Sequence, residues 1–300
     1  MIDRAKLPLV CLGIAVQDMI FGLSELPVTE GKYRARAFAS AGGGMAASAA
    51  AAIGRLGCPV ELWTRLGDDV LGDAIVAELK TFGVDVRWCK RAAGQNSPVS
   101  AVLVDGQGER LLVNYSDPDS DMDTSWLPMQ RIADSAAVLV DTRWELGAIA
   151  VLDAARAAGI PAVLDADSPP VSHDVLQRAT HCVFSHHALY QCTHTEDVVA
   201  GLRLVAGLTG GVVAVTLGAG GVSWLADGET HHQPAFQVEA VDTLGAGDVF
   251  HGALAVALSE AMALPDAMRF AAAAAALKCM RFGGRRGAPT RAEVMALLDC

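Results

Sequence analysis

The chain has 300 residues, 52% of them hydrophobic, enough for one large domain with a well-buried core. Its net charge of -11 excludes broad affinity for nucleic acid or an anionic membrane surface, because both need a basic face. Its seven cysteines, odd in number and without framework spacing, exclude a disulfide scaffold and fit reduced thiols in a cytoplasmic protein.

In chain order, the first apolar run is "PLVCLGIAV". An acid precedes it and "QDMIFG" follows where a signal peptide would carry small residues, so it reads as a first buried strand. "MIFGLSELPVTEGKYRARAF" looks extended and brings no helix of its own. The helix "MAASAAAAIGRLG", the strand "PVELWTRLG" and the helix "DDVLGDAIVAELKTFG" come next. "SPVSAVLVDGQGERLLVNY" then reads as a hairpin around "DGQG". Alternation resumes with the strand "AAVLVDTR", the helix "WELGAIAVLDAARAAG" and the strands "PAVLDAD", "HCVFSH" and "GVVAVTLG". After Val241 the chain turns almost entirely helical, and every alanine-rich run stops short of the ~20 apolar residues of a membrane span.

This pattern predicts an α/β fold: a doubly wound, mainly parallel sheet flanked by helices, forming a single domain over residues 1–300. The two extended segments, about 19–40 and 97–115, would form a small β-sheet projecting from it. Ligands bind at the carboxyl ends of the strands in such sheets, so the projection would act as a lid. Lid strands that pair between subunits would make a homodimer. The segment "HCVFSHHALYQCTH" crowds His181, Cys182, His186, His187, Cys192 and His194, but its spacing matches no standard zinc pattern and strand alternation would split the ligands.

Three glycine turns carry the chemistry. "AGGG" precedes the first helix, "VTLGAGG" follows a strand, and "VDTLGAGDVFHG" enters the late helical region. Glycines at a helix start let backbone amides approach an anion, and the helix dipole adds to their pull.

"GGGMAASAAAAIGRLG", "VTLGAGG" and "DTLGAGDVFHGALAVAL" together resemble the two signature regions and the nucleotide loop of the ribokinase-like carbohydrate kinases, often called PfkB. The resemblance spans nearly the whole chain. It implies transfer of the ATP γ-phosphoryl to a sugar hydroxyl with Mg²⁺. Such chemistry needs a base near the hydroxyl and donors for charge on the phosphoryl oxygens. Asp248 is the expected base. The amides of Gly245, Ala246, Gly247 and Asp248 would form the anion hole. By the resemblance, Asp18, at the end of the first strand, would bind sugar hydroxyls, with Gly43 and Gly44 contacting the sugar and helping the lid hinge. Thr216, Gly218, Gly221 and Gly284 would line the nucleotide site, with "AALKCMRFGG" on the adenine side.

The chain also departs from the family pattern. Where many relatives carry Asn this chain has Ser48, whose shorter hydroxyl has a different hydrogen-bonding reach. Ser185-His186-His187-Ala188 stands where many carry Asn-x-x-Glu, so Mg²⁺ would be held mainly by phosphates and water, with Asp165 the nearest alternative carboxylate. Lys32, Asn114 and Arg143 lie in the lid and at strand ends, where together they could hold an anionic head group that a neutral sugar lacks. "GKYRAR", "DTRW" and the C-terminal third are similar to the branch of the family that phosphorylates 6-deoxy-6-sulfofructose at its 1-hydroxyl. By that likeness Lys32, Asn114 and Arg143 would grip the sulfonate. A kinase for fructose 6-phosphate or tagatose 6-phosphate, a neutral-sugar kinase, and a sugar-binding regulator on a kinase fold are the alternatives.

Overall fold

A computed structural model describes residues 6–107, 109–118, 120, 122–168 and 172–299. The chain opens with β1 (Leu9–Leu12), β2 (Val16–Gly22), β3 (Ala37–Gly43), α1 (Met45–Arg55), β4 (Val60–Gly67) and α2 (Val70–Thr81). It continues through β5 (Val84–Asp85), β6 (Cys89–Ala92), β7 (Val99–Val104), β8 (Arg110–Tyr115), β9 (Val138–Asp141) and α3 (Glu145–Ala158). β10 (Ala162–Ala166), α4 (Asp174–Arg178), β11 (His181–Ser185), α5 (His186–Thr193) and α6 (Val198–Ala206) follow. The last elements are β12 (Val212–Thr216), β13 (Val222–Ala226), β14 (Glu229–Gln233), α7 (Ala246–Ser259), α8 (Leu264–Cys279) and α9 (Arg291–Leu298).

The main sheet runs in the order β14-β13-β12-β11-β10-β9-β1-β4-β5, with β6 beside β4. Pairing is parallel from β12 to β5 and antiparallel only at the β12/β13/β14 edge. Central strands such as "LVCL" and "VLVD" are apolar on both faces because helices cover both. On one side α1, α7 and α8 close a core rich in alanine, and on the other α3, α5 and α6 pack around Trp63 and Trp144. Among the described residues, no helix is long and apolar enough to cross a membrane.

A second sheet, ordered β3-β2-β7-β8, forms the lid. Its strands extend a few residues beyond the expected ones, since β2 begins at Val16 and β3 ends at Gly43. This moves Asp18. The apolar run "PLVCLGIAV" breaks at Gly13, and Asp18 lies on lid strand β2, opposite Ala41 and Ser100, instead of at the end of β1. The cause is Asp141, a buried carboxylate at the end of β9. Its Oδ2 accepts the N–H groups of Ile14 at 2.8 Å and Ala46 at 3.2 Å, and its Oδ1 that of Arg143 at 2.9 Å. One side chain thereby holds the exit of β1, the start of α1 and the turn after β9. A continuous apolar run cannot reveal such a change of sheet, because alternation is masked where both faces are buried.

Candidate active site

The turn "VDTLGAGDV" enters α7 through Gly245, whose φ of 79° places it in the left-handed region that only glycine adopts without strain. Two cavities of about 390 and 380 Å³ flank this turn, and Gly247 lines both. The first-turn N–H groups of Gly247 and Asp248 meet no acceptor among the described residues, as expected at a helix start, whereas that of Ala246 donates to the Thr243 carbonyl at 3.2 Å. Open amides are therefore carried by Gly247, which lines both cavities, and by Asp248, which lines the second.

The first cavity is lined by Thr216, Gly218 and Gly221 after β12, by Ala275, Ala276 and Cys279 of α8, and by Phe236 and Val238 of the segment before the turn. Its walls are mainly apolar, suited to a flat heterocycle with its charged end toward Gly247. Phe236 and Val238 escape a sequence reading because they lie outside any periodic element.

The second cavity gathers Asp18, Gly43, Gly44, Ser48, Ser100, Asn114, Arg143, Asp167 and Asp248 under the lid. A Cβ at Gly43 would come within 2.2 Å of Asp18 Oδ2, so this glycine makes the room the carboxylate occupies. Burial pushes the Asp18 carboxyl up, opposed by a hydrogen bond from Ser100 and the charge of Arg285. Burial likewise pushes Asp248 up to about 8, with the charges of Asp165 and Asp167 adding and the charge of His251 and a hydrogen bond from Ser48 opposing. A carboxyl titrating there is matched to proton abstraction near neutral pH.

Several expected residues stand elsewhere. Lys32 is exposed in the loop between β2 and β3 and lines neither cavity, while Asn114 and Arg143 reach the second one. Gly284 lines the second cavity, not the apolar first one. Asp165 is buried in β10 with its Oδ2 3.2 Å from His251 Nδ1, and it lines neither cavity; the carboxylate on the wall is Asp167, just past the end of that strand. Ser185 caps α5 by accepting the Ala188 N–H at 3.1 Å, and Ala188 is itself buried, so no acid projects from this turn.

Two further residues were not singled out in the sequence. One is Asp141. The other is Arg285, wholly buried and lining the second cavity, which donates to Glu78 Oε2 at 2.6 Å and to the Gly43 carbonyl at 3.4 Å. Glu78 also accepts the Gly42 N–H at 2.8 Å and Arg286 Nε at 2.6 Å. Burial alone would raise Glu78, but the two guanidinium groups outweigh it and hold its carboxyl low. The pair "RR" in "GGRRGAP" was the available signal, without a partner to give it meaning.

The sequence profile described as pfkB family carbohydrate kinase matches residues 6–291. The chain is 29% identical over 291 residues to a ribokinase of Bacillus subtilis (strain 168), covering 96% of this chain and 98% of that one. A solved protein of Agrobacterium tumefaciens, provisionally called a ribokinase, is 40% identical with a TM-score of 0.93 over 98% of each chain. The ribokinase of Arabidopsis thaliana, solved with ribose and ATP, is 26% identical with a TM-score of 0.89, covering 98% of this chain and 99% of that one.

Proposed function

The chain belongs to the pfkB family of carbohydrate kinases, and from that premise we propose that it transfers the ATP γ-phosphoryl to the 1-hydroxyl of an anionic ketose such as 6-deoxy-6-sulfofructose. The observation that carries this reading is one cavity holding both Asp248 and, from other elements, Arg143 and Asn114. In this reading Asp18 orients the sugar hydroxyls, and Asp248 takes the proton of the attacking one. That oxygen bonds to the γ-phosphorus as the bond to the β,γ-bridging oxygen breaks, and ADP leaves. The N–H groups of Gly247 and Asp248 receive the charge on the transferring oxygens. The apolar cavity beside Phe236 takes the adenine. ATP bound to the Arabidopsis ribokinase supports that assignment by likeness.

In this reading the cation is held by phosphates, water and a single wall carboxylate, Asp167. Mg²⁺ so held would neutralise charge on the phosphates.

Arg143 Nη2 donates to Ser168 Oγ at 2.9 Å and lies 3.8 Å from Asp167, leaving guanidinium donors for a sulfonate. Arg143→Ala is expected to lower kcat/KM for sulfofructose by roughly 10- to 100-fold, the worth of a charge-assisted hydrogen bond, and for fructose by less than about threefold. An ATP-consumption panel with sulfofructose, fructose 6-phosphate, tagatose 6-phosphate, ribose and fructose tests the assignment. Preference for ribose or fructose, or equal losses in the variant, would replace it with a neutral-sugar kinase.

The reading includes a homodimer through the lid. Phe38, 61% exposed, and Val113, 60% exposed, lie on lid strands and support an apolar contact there. Sedimentation is expected to give about twice the 31.2 kDa chain mass, and Phe38→Glu to return the monomer.

A further inference from the structure

Lys278 is 0% exposed, and lysine is almost never buried so completely. Its ammonium lies 2.6 Å from the Asp242 carbonyl, 3.0 Å from Asp242 Oδ2 and 3.4 Å from the Arg281 carbonyl. These oxygens belong to two separate turns, one leading into α7 and one leaving α8. The same Asp242 Oδ2 accepts the N–H groups of Gly283 and Gly284 at 3.0 Å each, and Asp242 Oδ1 accepts that of Leu244 at 2.9 Å. The Val241 and Asp242 N–H groups donate to the Cys279 carbonyl at 2.8 and 3.0 Å. Gly245, where α7 begins, is the next residue after Leu244.

A carboxylate and two carbonyls converging on one point from two turns form a set of oxygen ligands suited to a compact cation. An ammonium on a long stem meets that need with three donors. An apolar side chain would fill the same space without an ion's desolvation cost, so packing alone does not account for the charge. We propose that the Lys278 ammonium is a built-in cation that joins these turns and positions the anion hole, making the kinase independent of dissolved monovalent cations. Lys278 is a positioning residue, and the proposal rests on the reading of Gly247 and Asp248 as that hole.

The test compares wild type with Lys278→Ala and Lys278→Met in tetramethylammonium chloride, with KCl, NaCl or methylammonium chloride substituted at equal ionic strength. Wild-type kcat and Tm are expected to be the same in all four salts. Both variants are expected to lose kcat on the order of 10²-fold, as for an angstrom-scale misplacement, with sugar KM changed less than about threefold. In Lys278→Ala, but not in the bulkier Lys278→Met, KCl or methylammonium chloride is expected to restore kcat at least about tenfold and to raise Tm. The Tm comparison needs no substrate, so it separates failure of the cation role from failure of the phosphoryl-transfer reading. Activation of wild type by KCl, near-normal kcat in Lys278→Met, or a Lys278→Ala protein whose Tm and kcat ignore both cations would overturn the proposal.

Discussion

Asp248→Asn is expected to lower kcat by about 10²- to 10⁴-fold, the range of a lost general base. The amide keeps the size of the carboxylate and leaves the Gly247 N–H in place, but it cannot take the hydroxyl proton. Nucleotide binding in the apolar cavity should therefore persist, and calorimetry with ATP alone checks this. Near wild-type single-turnover rates would remove Asp248 from its role. The pH dependence adds a second readout. Only ionised Asp248 accepts a proton, so wild-type kcat/KM should climb about tenfold per pH unit below about 8 and level off above it. Stability should move the other way. The folded chain keeps this group protonated where the unfolded chain has already released the proton, so its contribution is full below the unfolded carboxyl's 3.8 and is lost as pH rises through about 8. Asp248→Asn mimics the protonated form, and should gain stability relative to wild type at alkaline pH.

Breaking the Glu78–Arg285 pair is expected to have the largest effect on stability. The Arg285 side chain is 0% exposed and that of Glu78 14%, so removing either partner strands the other's charge largely out of water. Arg285→Met and Glu78→Met should each cost about 3–5 kcal/mol in urea unfolding. Arg285→Met should be the milder, because Arg286 and the Gly42 N–H still engage Glu78. The double variant should lose less than the sum, since no lone charge remains. Strict additivity would mean that the pair is not coupled. Arg285→Met should also raise the sugar KM, because Arg285 holds the Gly43 carbonyl and its charge opposes the upward shift of Asp18.

Much of the fold was legible because the central strands are short apolar runs and α1, α7 and α8 repeat alanine on their packed faces. "VDTLGAGDV" was legible for a local reason: a glycine turn before a helix exposes amides wherever it occurs. The edge strand β14 was missed because "ETHHQ", largely in solvent, shows no apolar alternation. Asp165 and Asp167 could not be told apart. They are two residues apart, and only the end of β10 at Ala166 leaves one inside the sheet and the other on the cavity wall.

Lys32, Asn114 and Arg143 show where a sequence reading stops. Their charges and donors were evident, but whether they share a cavity depends on how the lid is placed, and Lys32 stays outside while the other two line it. The sequence by itself determined the layered α/β architecture and the glycine turn before α7 with its acid, because these follow from periodicity and from the backbone geometry of neighbouring residues. Only the tertiary structure decided that Asp18 rides on the lid, that Arg285 pairs with Glu78, and that Lys278 joins two turns. The two charge pairs, Lys278–Asp242 and Arg285–Glu78, link residues 36 and 207 positions apart, and no local pattern encodes which distant charge will meet which.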